Sequence, residues 1–228
     1  MSSPTPPTAA VADAALRLGI EPRLAPVALR PLAACAPLSG RARPVTHLGS
    51  VDVLLETIDE AAPGDVMVID NGGRLDEACI GDLMVLEAER AGLAAMVVWG
   101  LHRDTAQLRE IGLPVFSLGA LPTGPLRLDP QPADALSKAT IGEWTVTRDD
   151  VVLADEDGAV FVPADRLEEL FGLAESIRDT EHRQADEIRA GRSLREQVSF
   201  AQYLERRAAD PSLTFRQHLR AVRGAIEE

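Results

Sequence analysis

Between residues 66 and 119 the chain alternates short apolar runs with segments of helical periodicity: "VMVID", "DLMVLEAERAG", "LAAMVVW", "TAQLREIG" and "PVFSLG". An apolar run with no polar alternation reads as a strand buried on both faces. Strands of that kind separated by helices make a βαβαβ unit, which closes as a parallel sheet with right-handed crossovers. This restricts the fold class to α/β more strongly than any other feature.

The flanks are read against that centre. Residues 8–19, "TAAVADAALRLG", predict a short amphipathic helix with Thr8 as cap and Gly19 as stop. Residues 22–48 are rich in proline and arginine and give no clear assignment. "VDVLLETIDEA" predicts a helix, and "PGD" turns the chain into the strand "VMVID". The stretch "NGGRLDEACIG" reads as a loop before the helix at Asp82, which Gly92 closes. After a second proline-rich connection (121–140), "EWTVT" and "DVVLADEDGAVFVP" predict antiparallel strands around Asp155-Glu156-Asp157-Gly158. A calcium loop is the other reading of "DEDG". The chain, however, runs straight into "AVFVP" without the later ligands of an EF-hand, so a hairpin turn is expected.

Past Pro163 the sequence turns charged and helical. Asp165 with Glu168 fits a capping box opening a helix that can reach Gly191. Ser193 with Glu196 fits another, for a helix ended by Pro211, and "TFRQHLRAVRGAIEE" predicts a third helix or an ordered tail. The expected organisation is a disordered lead-in (1–7), an α/β domain (8–164) and a C-terminal helical extension (165–228). That extension is a solvated appendage or a subunit-bridging arm. Phe200, Tyr203, Leu204, Phe215 and Leu219 favour the arm, since they need a surface to pack on.

Charge and composition exclude several functions. A net charge of −13 argues against nucleic acid as a ligand, because a phosphate backbone demands a basic surface. The same charge is compatible with a basic patch on another protein. No run approaches the ~18 apolar residues of a membrane span. "MSSPTPPTAA" lacks the parts of a secretory signal, so a cytoplasmic protein with no membrane partner is expected. Cys35 and Cys79 are too few for a disulfide framework or a Cys-rich zinc site and are expected as buried thiols. Lys138, the only lysine, lies in the polar stretch "ADALSKAT", which argues against a Schiff-base mechanism.

The chemistry concentrates where "LAAMVVW" stops and "GLHRD" begins. Twenty residues, 83–102, separate Asp82 from Arg103. About ten residues of helix, a turn and six or seven of strand return the chain to the sheet edge it left. The loop before Asp82 and the loop holding Arg103-Asp104 are thus expected to face each other at the carboxyl ends of parallel strands, where open α/β sheets bind ligands. The first-turn N–H groups of Leu83 and Met84 suit an anion. Arg103 can grip a carboxylate or keto oxygen with its planar fork. Asp82 and Asp104 are hard oxygen ligands for Mg²⁺ or Mn²⁺, and such an ion beside a 2-oxo acid would stabilise an enolate as a carbon–carbon bond breaks. Spacing alone fits a surface ion pair at Arg103-Asp104 and a helix cap at Asp82 at least as well. His102 is either an extra acid–base group or an ordinary loop histidine.

"PGDVMVIDNGG…GD", "GLHRD", "LPVFSLG" and "DDVVLADEDGAVFVP", in this order, resemble the family of the regulator of ribonuclease activity A (RraA) and the class II 4-hydroxy-4-methyl-2-oxoglutarate/4-carboxy-4-hydroxy-2-oxoadipate aldolases. The likeness covers roughly residues 8–180. The aldolase branch carries an Asp, twenty residues, then Arg-Asp, as Asp82 and Arg103-Asp104 do. The regulator branch has an acidic residue where this chain has Gln107. The resemblance implies a layered α/β sandwich like the swivelling β/β/α domain of phosphohistidine proteins, assembled as homotrimers or homohexamers with active sites at subunit boundaries. It implies metal on Asp104 with Asp82 behind it, and a pyruvyl group on Arg103 and the Gly81–Met84 backbone, Gly81, Leu83 and Met84 included. A small 2-oxo acid would be cleaved, with oxaloacetate decarboxylation as a side activity. The other reading is a non-catalytic regulator of a ribonuclease or another protein. Trp99 and His102 depart from the usual "DGAVRD" and are expected at the pocket mouth. Glu181 is the candidate for a carboxylate lent by a neighbouring subunit.

Overall fold

The computed structural model describes residues 4–222. Helix α1 (Thr8–Arg17) precedes the two-residue strands β1 (Arg23–Leu24) and β2 (Arg30–Pro31) and the long strand β3 (Leu38–Thr46). Next come α2 (Asp52–Asp59), β4 (Val66–Asp70), β5 (Ala78–Ile80), α3 (Asp82–Arg90), β6 (Ala95–Trp99), β7 (Leu101–His102), α4 (Thr105–Ile111) and β8 (Val115–Ser117). Strands β9 (Lys138–Ile141), β10 (Trp144–Thr147), β11 (Asp150–Asp155) and β12 (Gly158–Pro163) lead through a 3₁₀ turn into α5 (Leu167–Arg189), α6 (Leu194–Gln197), α7 (Phe200–Ala209) and α8 (Phe215–Val222).

The main sheet runs β1-β12-β11-β3-β4-β6-β8-β2. Its centre, β3-β4-β6-β8, is parallel, as the βαβαβ pattern requires, and both flanks are antiparallel. β3 joins the two regimes. Its first half (38–41) pairs with β11 and its second half (42–46) with β4, so Pro44 lies beyond the β11 ladder, where a missing N–H costs nothing on that side.

The alternating side chains show why the central strands are apolar throughout. Met67, Ile69, Met96 and Val98 pack with Leu54 and Ile58 of α2, Met84 and Val85 of α3, and Leu108 of α4. Their neighbours Val66, Val68, Ala95 and Val97 point the other way and meet Val152, Ala154 and Phe161 of the antiparallel flank. Two parts of one sheet share a core, so the sheet curls over itself. On the outside of that flank, Ala10, Val11 and Ala14 of α1 join Leu153 and Val160 and the α5 residues Leu170, Ala174 and Ile177. The first half of α5 therefore belongs to the α/β body, and packing does not divide at residue 164.

Several local expectations need correction. Thr8 is not a cap. It is the first helical residue, and its N–H and hydroxyl donate to Asp155 at 2.8 and 2.7 Å. That occupies the Asp155 carboxylate and makes "DEDG" a hairpin turn. Within the expected lead-in, residues 1–3 lie outside the described residues, while Pro6 is buried and Thr5 meets Ser39 across 3.3 Å. The "DEACIG" stretch contains β5, which pairs in parallel with β7 inside "GLHRD". Asp165 caps nothing, because the 3₁₀ turn displaces it from the helix start. The Ser193–Glu196 box does form. The helix behind it breaks at Ser199, which takes a left-handed conformation. Past α7, the turn at 210–214 folds α8 back onto it: Phe215 meets Phe200 and Tyr203 edge-on, and Tyr203, His218 and Leu219 are buried there, so these residues find partners within the chain. The end of the expected third helix, 223–228, lies outside the described residues. Among the described residues no helix is long and apolar enough to cross a membrane.

Candidate functional site

Gly81 ends β5 and caps α3, and β7 delivers Arg103 and Asp104 directly opposite. The Arg103 N–H donates to the Ile80 carbonyl at 3.0 Å, while the His102 backbone is bonded on its other side to Gly119 and Leu121. The two loops that the twenty-residue spacing brings together thus form one short ladder. The Asp82 N–H lies 3.4 Å from Asp104 Oδ2, and Arg103 Nε lies 3.3 Å from the same oxygen.

Two backbone features shape this corner. Asp104 has φ 60° and ψ 39°, a left-handed conformation that strains any residue with a side chain; Asn and Asp tolerate it best. It turns the carboxylate back toward Gly81 as α4 begins. Gly81 leaves the room for it: a Cβ there would stand 2.5 Å from Asp104 Oδ2 and 3.0 Å from Arg103 Nε. On the other side a Cβ at Gly124 would stand 3.1 Å from Arg103 Nη1. The guanidinium lies in a slot walled by two glycines.

Beside this corner opens a cavity of about 420 Å³. Gly81, Asp82, Leu83, Met84, Glu87 and Arg103 line one side, and His47, Val51, Leu55, Ile80 and Pro125 line the rest. Cys79 lines it too, but burial pushes its thiol up to about 12, so it serves as an inert wall. Cys35, expected buried, is only partly so. Leu83, 78% exposed, and Val51, 51% exposed, stand at the rim.

The other expected site residues are placed as follows. The Leu83 N–H is taken by Asp82 Oδ1 at 2.8 Å, leaving Met84 as the first-turn N–H that helix geometry does not pair. His102 is 3% exposed, with Nδ1 2.7 Å from Ser117 Oγ and Nε2 3.1 Å from Thr105 Oγ1. Burial and then the Arg109 charge lower its pKa, so the ring is a neutral brace between β7, β8 and α4 and does not line the cavity. Trp99 packs against Gly73 and the inner core and likewise does not line it. Glu181 is exposed on α5. Lys138 pairs with Asp134 at 2.7 Å, whose hydrogen bond and charge raise the amine's pKa, making it a poorer nucleophile.

Five residues that the Asp82–Arg103 spacing does not single out complete the surroundings. Glu77 is fully buried, accepts from the Leu126 N–H at 2.8 Å and pairs with Arg127 Nε at 2.9 Å. Arg74 Nε sits 3.2 Å away without hydrogen-bond alignment. Burial raises the Glu77 pKa, but the Leu126 bond, the Arg127 bond and charge, and the Arg74 charge outweigh it and hold the carboxyl below its ordinary value. Arg127 Nη2 reaches Asn71 Oδ1 at 2.9 Å and the His47 carbonyl at 3.0 Å. Asn71 in turn meets His47 Nδ1 at 2.9 Å.

Among the described residues no three His, Cys, Asp or Glu side chains cluster as a closed metal site. Asp104 and Asp82 contribute two carboxylates to this corner, and one or two suffice for Mg²⁺ when water completes its shell.

Three comparisons bear on this geometry. The model of the family described as RraA-like, Aldolase/RraA, matches residues 8–161. A 4-hydroxy-4-methyl-2-oxoglutarate aldolase of Thermus thermophilus is 29% identical over 138 residues, which cover 60% of this chain and 83% of that protein. Protein DlpA of Legionella pneumophila is 31% identical over 138 residues, but the chain spans only 22% of its length. The crystal structure of Streptomyces coelicolor RraAS2, described as an unusual member of the RNase ES inhibitor RraA protein family, superposes with a TM-score of 0.65 at 29% identity, covering 80% of this chain and 90% of that one.

Proposed function

Since this chain belongs to the RraA-like family, we propose that it is a divalent-metal-dependent carbon–carbon lyase cleaving a 4-hydroxy-2-oxo acid to pyruvate and a second carbonyl compound. The observation that carries the reading is the left-handed Asp104 folded against Gly81, with Arg103 beside it on the cavity rim. Strain of this kind survives where surrounding structure enforces it, and it clusters at working sites.

Asp104 would hold Mg²⁺ or Mn²⁺, with Asp82 beside it fixing the ion's waters. When bound, the ion supplies positive charge next to the 2-oxo oxygen, where electron density collects as the bond breaks. Arg103, clamped between Gly81 and Gly124, presents its fork to the carboxylate of the pyruvyl half. The Met84 N–H donates to the same group, and the Leu83 N–H joins it by releasing the Asp82 carboxylate. Val51, Leu55 and Pro125 keep the other half of the cavity apolar. The exposed Leu83 and Val51 at the rim support assembly as a homotrimer or homohexamer, in which a second copy covers the mouth and can bring Glu181. We place the working protein in the cytoplasm, and oxaloacetate decarboxylation, which needs the same charge stabilisation, is its expected side activity.

The likeness to RraAS2 and the charge of −13 support a second reading, a regulator that docks on a basic surface of a ribonuclease or another protein. Turnover separates the two. The lyase releases pyruvate from a panel of 4-hydroxy-2-oxo acids with Mg²⁺ or Mn²⁺ and stops with chelator. The regulator shows no metal-dependent turnover and captures a protein partner in a salt-sensitive way, independent of Asp104.

A further inference from the structure

His47, just past the end of β3, lines the cavity and is 1% exposed, and its Nε2 is buried without a hydrogen-bond partner among the described residues. Buried polar atoms are paired in the great majority of cases, so an unpaired ring nitrogen on a residue that lines a cavity points to a partner from outside the chain.

The surrounding bonds determine what that nitrogen can do. The Arg127 guanidinium can only donate, so the Asn71 atom 2.9 Å from it is the amide oxygen. That oxygen can only accept, so His47 Nδ1, also 2.9 Å away, carries the ring proton. Arg127 cannot turn aside, because its Nε is bound to the buried Glu77 and its Nη2 also to the His47 carbonyl. Burial lowers the His47 pKa, the Asn71 bond opposes this, and the Arg127 charge lowers it again, with Glu77 and Asp52 pulling the other way. The net direction is down, so the ring is neutral near pH 7. Glu77, Arg127 and Asn71 therefore fix one tautomer of His47, in which Nε2 has a lone pair and no proton.

Arg103 offers only donors and recognises carboxylate and carbonyl oxygens. A hydroxyl proton needs an acceptor, and a desolvated imidazole nitrogen provides one without competition from water. Resting on the lyase reading above, we propose that His47 Nε2 accepts a hydrogen bond from the hydroxyl group of the bound acid and so selects hydroxylated 2-oxo acids over unhydroxylated ones.

The test has two arms on the full chain. A spectrum of the ¹⁵N-histidine-labelled protein without ligand reads the tautomer directly: a proton on Nδ1 of His47 is expected, and a proton on Nε2 overturns the proposal. The second arm compares Mg²⁺-dependent cleavage of 4-hydroxy-2-oxopentanoate with decarboxylation of oxaloacetate, which has no hydroxyl to bind. His47→Asn keeps a donor toward Asn71 and removes the acceptor. Its kcat/KM for cleavage should fall about tenfold further than that for decarboxylation, the size expected for one lost substrate hydrogen bond. His47→Gln, which restores an acceptor near the Nε2 position, should recover part of the difference. An equal fall for both acids means that His47 only supports the fold, or holds a fixed water, and overturns the proposal. If the wild-type protein turns over neither acid, the lyase reading itself fails and this inference falls with it. If His47→Asn does not fold, the wild-type spectrum still decides.

Discussion

Asp104→Asn reduces metal-dependent cleavage about 10²- to 10³-fold or more while leaving the melting temperature nearly unchanged, on the scale of losing one charge-stabilising group from an active site. Asn is the informative replacement. It tolerates the φ of 60° that Asp104 adopts, whereas Ala lacks the short polar side chain that eases a left-handed backbone, would meet a cost of up to about 1–2 kcal/mol, and would mix stability with chemistry. Asn also keeps an oxygen for the Asp82 N–H but removes the negative charge that a hard cation needs. Activity that survives Asp104→Asn in steady-state assays with saturating Mg²⁺ would remove Asp104 from the metal site. A concurrent large drop in melting temperature would assign it a structural role instead.

Glu77→Leu is expected to be strongly destabilising, costing about 1–3 kcal/mol, because it leaves the half-buried Arg127 guanidinium without its carboxylate and the Leu126 N–H without its acceptor. The same group makes stability depend on pH, with a definite sign. Its folded pKa lies below the ordinary 4.5, so the stability it contributes is fully present above that value. That stability is lost as pH falls through the lower, folded value. Urea midpoints from pH 7 down to pH 3 measure it: the wild-type midpoint falls at the acid end, and Glu77→Leu starts lower and loses much of that slope. A wild-type acid slope matched by the variant would show that Glu77 is not the group responsible. Because Arg127 carries the constraint onward to Asn71 and His47, the variant should also lose the fixed His47 tautomer.

Which parts of this protein were legible in sequence follows from the range of the interactions that build them. The parallel centre was readable because burial on both faces of β4 and β6 leaves no room for polar residues, and that prints an uninterrupted apolar run. Asp82, Arg103 and Asp104 were readable because one strand–helix–strand return fixes their approach through local geometry. The corner's finer shape was not readable. The Leu83 N–H is occupied by the neighbouring Asp82, and His102, adjacent to Arg103, is turned inward because β7 is a strand and alternate side chains face opposite ways. His47, Asn71, Glu77 and Arg127 were invisible for a stronger reason. They come from loop ends and from the two proline-rich stretches without periodicity, and pairs such as Glu77–Arg127, fifty residues apart, leave no pattern in a single chain. The capping at Ser193 succeeded and that at Asp165 failed for a similar reason: a cap motif works only if the helix begins at the next residue, and the 3₁₀ turn moved the start to Leu167.

The most direct test of the central claim is a crystal structure of the protein with Mn²⁺ and pyruvate, read by the anomalous signal of the metal. The predicted result places Mn²⁺ on Asp104 with Asp82 beside it, and the pyruvate carboxylate on the Arg103 fork in the cavity next to Gly81. Pyruvate bound away from Arg103, or Mn²⁺ gathered at another acidic group such as the Asp155–Asp157 turn with Asp104 left bare, would contradict it.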